Sequence, residues 1–179
     1  MPINRWLAIC GFIAIGGVLG AGVIIGSTEF NRRTSTDALC TSCHSMTVVA
    51  ADPHYQQSRH QANAAGVRAG CADCHIRTDN WFVETYEHVT SAVRDVIAEY
   101  THNFDDPAVW QKRRVTLAAV VHEQMRRNDG ITCRKCHDAS AIHPQSDAGR
   151  SAHATLKQGG PTCIDCHSNI VHAPPRPAT

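Results

Sequence analysis

The sequence predicts a mostly α-helical, loop-rich chain headed by one membrane-spanning helix. Three observations predict it: a long uncharged run near the amino terminus, a fourfold cysteine–histidine motif, and two helical patterns between motif pairs, with no convincing period-two alternation anywhere. Composition narrows the rest. Charged residues are 18% of the 179 and the formal net charge is +1, so no basic field argues for nucleic acid. Aromatics are only 6%, thin for a self-built core, against nine cysteines and twelve histidines. Each of the four C-x-x-C pairs is followed directly by histidine. This excludes a plain hydrophobic-core domain, a disordered tail and a disulfide scaffold.

From Trp6 to Gly26 the chain runs 21 residues without a charge. About 20 apolar residues cross the hydrocarbon layer as a helix, whereas a cleaved signal has a shorter apolar region and a small-residue cleavage site. The run is too long for a signal and no clear A-x-A follows, so residues 1–30 are expected to form an uncleaved anchor. Arg5 precedes the run, but Arg32 and Arg33 follow it, against the positive-inside expectation. Gly16 and Gly20, then Gly22 and Gly26, are spaced G-x-x-x-G, a helix-packing pattern that allows an oligomer. Cys10 reads as a small membrane-buried side chain.

The motifs are Cys40-Thr41-Ser42-Cys43-His44, Cys71-Ala72-Asp73-Cys74-His75, Cys133-Arg134-Lys135-Cys136-His137 and Cys163-Ile164-Asp165-Cys166-His167. C-x-x-C-H is the attachment signature of c-type haem: two thiols add to the two vinyl groups and the adjacent histidine coordinates the iron. A Cys₄ zinc ribbon or a thioredoxin-like pair explains neither the repeated histidine nor the anchor. The expectation is therefore four covalently attached haem c groups. Since such haem is attached outside the cytoplasm, the chain is expected to be single-pass in the inner membrane, with a periplasmic haem domain.

The first cysteines are 31, 62 and 30 residues apart. That spacing suggests two di-haem units, about 36–78 and 129–172, within a domain of 31–172. The fold class expected is a mostly α, loop-rich multihaem cytochrome c, in which macrocycles supply the core for roughly 150 extramembrane residues. Helices within 79–128 would join the units. Phe82, Tyr86, Val89, Val93, Val96, Ile97 and Tyr100 mark an amphipathic helix over 79–100. Asp105-Asp106-Pro107 starts a second, carrying Trp110, Leu117, Val121 and Met125 and ending near Asn128-Asp129-Gly130. The proline-rich tail, 173–179, reads as flexible.

Eight histidines lie outside the motifs: His54, His60, His88, His102, His122, His143, His153 and His172. Each iron takes a sixth ligand unless it binds substrate; histidine gives low-potential centres and methionine raises the potential. Spacing alone does not assign them.

The anchor, the C-x-x-C-H-x-M form of the first motif, SRH before the second motif, GVRAGCADCH, CRKCH and TCIDCHSNIVH resemble the NapC/NirT family, NrfH-like members included. The resemblance covers nearly the whole chain and implies a membrane-anchored tetrahaem quinol dehydrogenase. It implies His60 as distal ligand of the fourth haem, His172 of the third and His153 of the second. At the first haem it implies Met46 as axial ligand with His44 displaced, and Asp95 beside that haem's open face at the quinol pocket. Two departures stand out. Residues 76–104 contain no lysine, where family members commonly carry one, and His122 stands where relatives often have tryptophan, a further candidate ligand. His88 lies seven residues before Asp95, two turns along one helix face, so His88 or Asp95 is a candidate acceptor of a quinol proton.

The expected function is oxidation of quinol from the membrane pool, with electrons passed singly to a periplasmic reductase or soluble cytochrome. The fourteen arginines, against three lysines, suit haem propionates. The same electron path run in reverse to reduce quinone, a non-catalytic electron-transfer subunit of a larger respiratory complex, and a zinc-binding membrane adaptor are the alternatives.

Overall fold

The computed structural model describes residues 3–156 and 160–175, and all regular structure among them is helical. The last residues of the tail, 176–179, lie outside the described residues. Helix α1, Ile3–Thr34, is 32 residues long, and its apolar part is wholly exposed along the span Asn4–Thr34. At about 1.5 Å per residue it outruns a hydrocarbon layer of about 30 Å. The anchor thus continues past residue 30, carrying Asn31 and Thr34 into the folded part. Glu29 pairs with both basic residues of the last turns, Arg32 at 2.8 Å and Arg33 at 2.5 Å.

Short helices hold the first two motifs: α2, Asp37–Cys40; α3, His44–Ala51; α4, Pro53–Gln57; and α5, Cys71–His75. Two long helices follow where the sequence patterns put them. Helix α6, Trp81–Thr101, starts because the Asn80 side chain accepts from the amides of Phe82 and Val83, at 2.9 and 3.3 Å. Helix α7, Pro107–Arg127, has Pro107 in its first turn and is capped by Asp106, which accepts from Ala108 N at 2.8 Å. It stops where Asp129 and Gly130 turn left-handed, at φ 53° and 60°. Three more short helices complete the chain: α8, Ile131–Arg134; α9, Asp147–Leu156; and α10, Cys163–Cys166.

Side chains build little core. Among the described residues the buried apolar side chains are Tyr55, Trp110 and Ile164. Helix α10 packs on α7, α6 on α1, and α5 against both α2 and α8, so the short motif helices pack on one another and on the long helices. Helix α6 reverses the usual polarity of an amphipathic helix. The side it turns to the protein is polar, with Asn31 Nδ2 donating to Thr85 Oγ1 at 3.0 Å, while its apolar positions are exposed.

Candidate haem-binding centres

Each motif is placed by a carboxylate. Asp37, in the first turn of α2, accepts from Cys71 N at 2.8 Å through Oδ1 and from Arg68 Nη2 at 3.0 Å through Oδ2. That contact holds the start of the second motif against the end of the first, and the Cys40 and Cys71 thiols meet. A Cβ at Gly70 would stand 3.0 Å from Asp37 Oδ1, so a larger residue there would press on that carboxylate.

The middle residues of the second and fourth motifs act alike. Asp73 Oδ2 accepts from Gly70 N at 2.9 Å and Asp165 Oδ2 from Thr162 N at 2.8 Å, each capping its own motif helix. The remaining oxygens reach outward. Asp73 Oδ1 pairs with Lys135 Nζ of the third motif at 3.2 Å, and Asp165 Oδ1 with Arg126 Nε of α7 at 2.6 Å. The Arg126 guanidinium and the Thr162 donors hold the Asp165 carboxyl below the usual carboxylate range. In the other half the Cys133 and Cys163 thiols meet across Gly130, whose added Cβ would lie 3.6 and 3.5 Å from them. The motifs therefore run in contact, first to second, second to third through Lys135, and third to fourth.

Histidines from distant segments face the motif histidines. The His75 and His172 rings have centroids 6.1 Å apart, His60 and His137 6.0 Å, and His153 and His167 6.1 Å. Two imidazoles each binding one metal through a nitrogen at about 2 Å have ring centres roughly 6 Å apart. The pairing differs from the one the resemblance implies: His60 stands against the third motif, His172 against the second and His153 against the fourth. Helix packing brings the segments together in that order, which the spacing of the residues does not encode. No histidine ring stands opposite His122 among the described residues.

The surroundings suit ligands. His153 Nδ1 lies 2.8 Å from Gly149 O, and donation to that carbonyl leaves Nε2 free. Tyr55 stacks on His172 at 5.6 Å, and burial together with the neighbouring His75 pushes the His172 pKa down to about 4, keeping a lone pair available. His75 is crowded enough for its pKa to fall, yet its ring surface is open, so it lines an interior cleft.

Haem fits these residues. Three buried donors, His60 Nδ1, Trp81 Nε1 and Arg113 Nε, find no acceptor in the protein, and a carboxylate-bearing macrocycle supplies acceptors. All nine cysteines are free of disulfides, and no three His, Cys, Asp or Glu side chains converge on a metal-ion site among the described residues.

The first motif is different. His44 points outward, its Nδ1 2.9 Å from Asp105 Oδ1 with both side chains exposed, and among the described residues no histidine ring faces it. Met46 is half-buried two residues further along α3. Two carboxylates of α6 lie beside the motif. Asp95 is exposed, 3.6 Å from Arg94, and its charge acts on both Cys40 and Cys43; Glu99 Oε1 accepts from Ser45 N and Oγ at 2.9 and 2.8 Å. Glu99 escaped the sequence reading, although it stands one turn after Asp95. His88 is not beside them. Only 6% exposed, it sits in the α1–α6 junction, with Nδ1 3.1 Å from Thr34 Oγ1 and Nε2 3.2 Å from Ser35 Oγ.

The NapC/NirT cytochrome c family, N-terminal region, matches residues 3–177. The chain is 34% identical to the cytochrome c-type protein TorY of Haemophilus influenzae over 96% of its own length, but spans only 46% of that relative. It is 33% identical to the cytochrome c-type protein NapC of the same organism, over 90% of the chain and 78% of the relative. To the denitrification system component NirT of Stutzerimonas stutzeri it is 32% identical, over 93% of the chain and 85% of the relative. No solved structure matches the chain. This chain belongs to the NapC/NirT cytochrome c family, with covalently bound haem c as its cofactor and one apolar amino-terminal helix as its membrane anchor.

Proposed function

We propose that this chain oxidises quinol at the periplasmic face of the inner membrane and passes the electrons singly along its four motifs to a periplasmic reductase or soluble cytochrome. When bound, haem supplies one-electron redox chemistry at each motif. The observation that carries the reading is the docking of α6 on the first motif, where Glu99 Oε1 accepts from Ser45 N at 2.9 Å and the exposed carboxylate of Asp95 stands one turn earlier on the same helix. Quinol releases two protons with its two electrons, so the reaction needs a proton acceptor at that motif. Glu99 is occupied by Ser45 and His88 by Thr34 and Ser35, which leaves Asp95 to take the proton.

The eight motif cysteines, Cys40, Cys43, Cys71, Cys74, Cys133, Cys136, Cys163 and Cys166, attach the four haems within 31–172. His75 with His172, His137 with His60, and His167 with His153 hold three irons from both sides. Met46 serves the first, and Asp105 keeps His44 turned away. The contacts from motif to motif make a continuous path from the membrane side outward.

Anaerobic mixing of the detergent-purified holoprotein with a menaquinol or ubiquinol analogue, followed at the haem α-band, tests this. Fast, inhibitor-sensitive reduction that Asp95→Asn abolishes, with dithionite reduction intact, is the expected result. No quinol-driven reduction of the wild-type protein would leave the second reading, a non-catalytic electron-transfer subunit. That reading draws on the lysine-free segment 76–104 and the enclosed position of His88.

A further inference from the structure

Helix α6 carries an apolar stripe that none of the described residues covers. Phe82, Tyr86, Val89, Val93, Val96 and Tyr100 recur at alternating four- and three-residue steps, and all are exposed, from 46% at Val89 to 89% at Tyr100. The side that meets the protein is a different one. Thr85 is held by Asn31 at 3.0 Å, His88 by Thr34 and Ser35 at 3.1 and 3.2 Å, and Glu99 by Ser45 at 2.8 Å. At about 100° per residue, these positions centre roughly 95° away from the stripe. The first motif lies on the polar side, where Glu99 Oε1 accepts from Ser45 N at 2.9 Å, so its cofactor does not account for the stripe.

We infer that this face of α6 rests on the lipid bilayer, at the boundary of headgroups and acyl chains, beside the point where α1 leaves the membrane. Continuity with α1 commits the face to lipid. The uncharged run of α1 ends at Gly26, and α6 packs against Asn31 and Thr34 of the same helix and Ser35 just after it. That junction is about 8–14 Å beyond the end of the run at 1.5 Å per residue. A helix about 10 Å in diameter at that height reaches the headgroup layer, which extends roughly 5–8 Å beyond the hydrocarbon.

A second copy of the chain fits the stripe less well. Its spacing would serve a coiled-coil seam, but the flanking positions that set pairing by charge hold Val83, Thr85, Thr90, Ala92, Ile97 and Glu99, and the single charge among them is already bound to Ser45. Ile97 widens the stripe to a face suited to a fluid surface. Charge attraction is not the driving force, because α6 carries Glu84, Glu87, Asp95 and Glu99 against the single base Arg94. Zwitterionic lipid suffices. The inference does not depend on the direction of electron flow.

Photocrosslinking of the full-length holoprotein tests it. The protein is reconstituted in phosphatidylcholine nanodiscs containing a phosphatidylcholine with a diazirine near the headgroup end of one acyl chain, and adducts are mapped by mass spectrometry. Adducts on Phe82, Tyr86, Val89, Val93, Ile97 or Tyr100 are expected, with none on Glu87 or Arg94. The double variant Val93→Asp, Ile97→Asp should lose α6 adducts at least several-fold while keeping those on α1. Labelling of α1 with α6 untouched in the wild-type protein overturns the inference, as does α6 labelling unchanged in the double variant. Crosslinking of α6 to a second copy, without lipid adducts, likewise overturns it. If the double variant fails to assemble haem, the wild-type map decides alone.

Discussion

His75 of the second motif and His172, near the end of the described chain, face each other with ring centroids 6.1 Å apart, and Tyr55 stacks on the far side of His172. The two histidines come from distant parts of the haem-binding region, the second motif and its last residues. Their approach fixes which segment closes over which motif, and so the order in which the centres are enclosed.

Replacing His172 by methionine should leave covalent haem content unchanged, because attachment rests on cysteine. The potential of one centre should rise on the order of 100 mV, a fraction of the roughly 0.8 V that axial ligands command. A spectropotentiometric titration reads this as one displaced component of four. If all four components stay in place, His172 is no ligand.

At the first motif the decisive comparison is between two neighbours. Met46→Ala should convert the ligand-field signature of one haem by electron paramagnetic resonance, whereas His44→Ala and Asp105→Ala should leave that signature as it is. The reverse pattern would assign the iron to His44 and make its 2.9 Å contact with Asp105 a property of the resting side chain alone.

His88 joins α1 to α6 as a neutral ring. Burial lowers its pKa from the ordinary 6.5, with Glu84 and Glu87 opposing. Because the folded value lies below the unfolded one, the junction's contribution is complete above about pH 6.5 and declines as the pH falls toward the folded value. His88→Ala should cost about 1–3 kcal/mol at neutral pH by stripping Thr34 and Ser35 of their partner. The gap in thermal unfolding temperature between wild-type and variant holoprotein should be wider at pH 7.5 than at pH 5.5. A gap that widens on acidification would refute the assignment.

Glu99 should separate from Asp95 in function. Glu99→Gln keeps an acceptor for Ser45 and should preserve quinol-driven haem reduction within about twofold, whereas Glu99→Ala leaves Ser45 N unpaired and should destabilise the fold by about 1–3 kcal/mol. Stopped-flow reduction beside thermal unfolding distinguishes the two. Loss of reduction in Glu99→Gln would move the proton-accepting role from Asp95 to Glu99.

Local features of the sequence determined a great deal. The membrane helix, the four attachment motifs and the caps at Asn80 and Asp106 are each written within a few residues, because covalent spacing, hydrogen-bond capping and apolar runs are short-range physics. His60, His153 and His172 were legible as ligand candidates, but their partners were not. Only tertiary packing decided that they face His137, His167 and His75, since a ligand pair is set by the crossing of segments that no spacing rule connects. Helix α6 shows the same division. Its periodicity announced an amphipathic helix, but the contacts of Thr85, His88 and Glu99 turned the polar side inward and left the apolar stripe outside. The usual inference from pattern to core assumes that side chains alone fill the interior; here interior positions are given to thiols and imidazoles that hold a cofactor, so the apolar stripe was free to face outward.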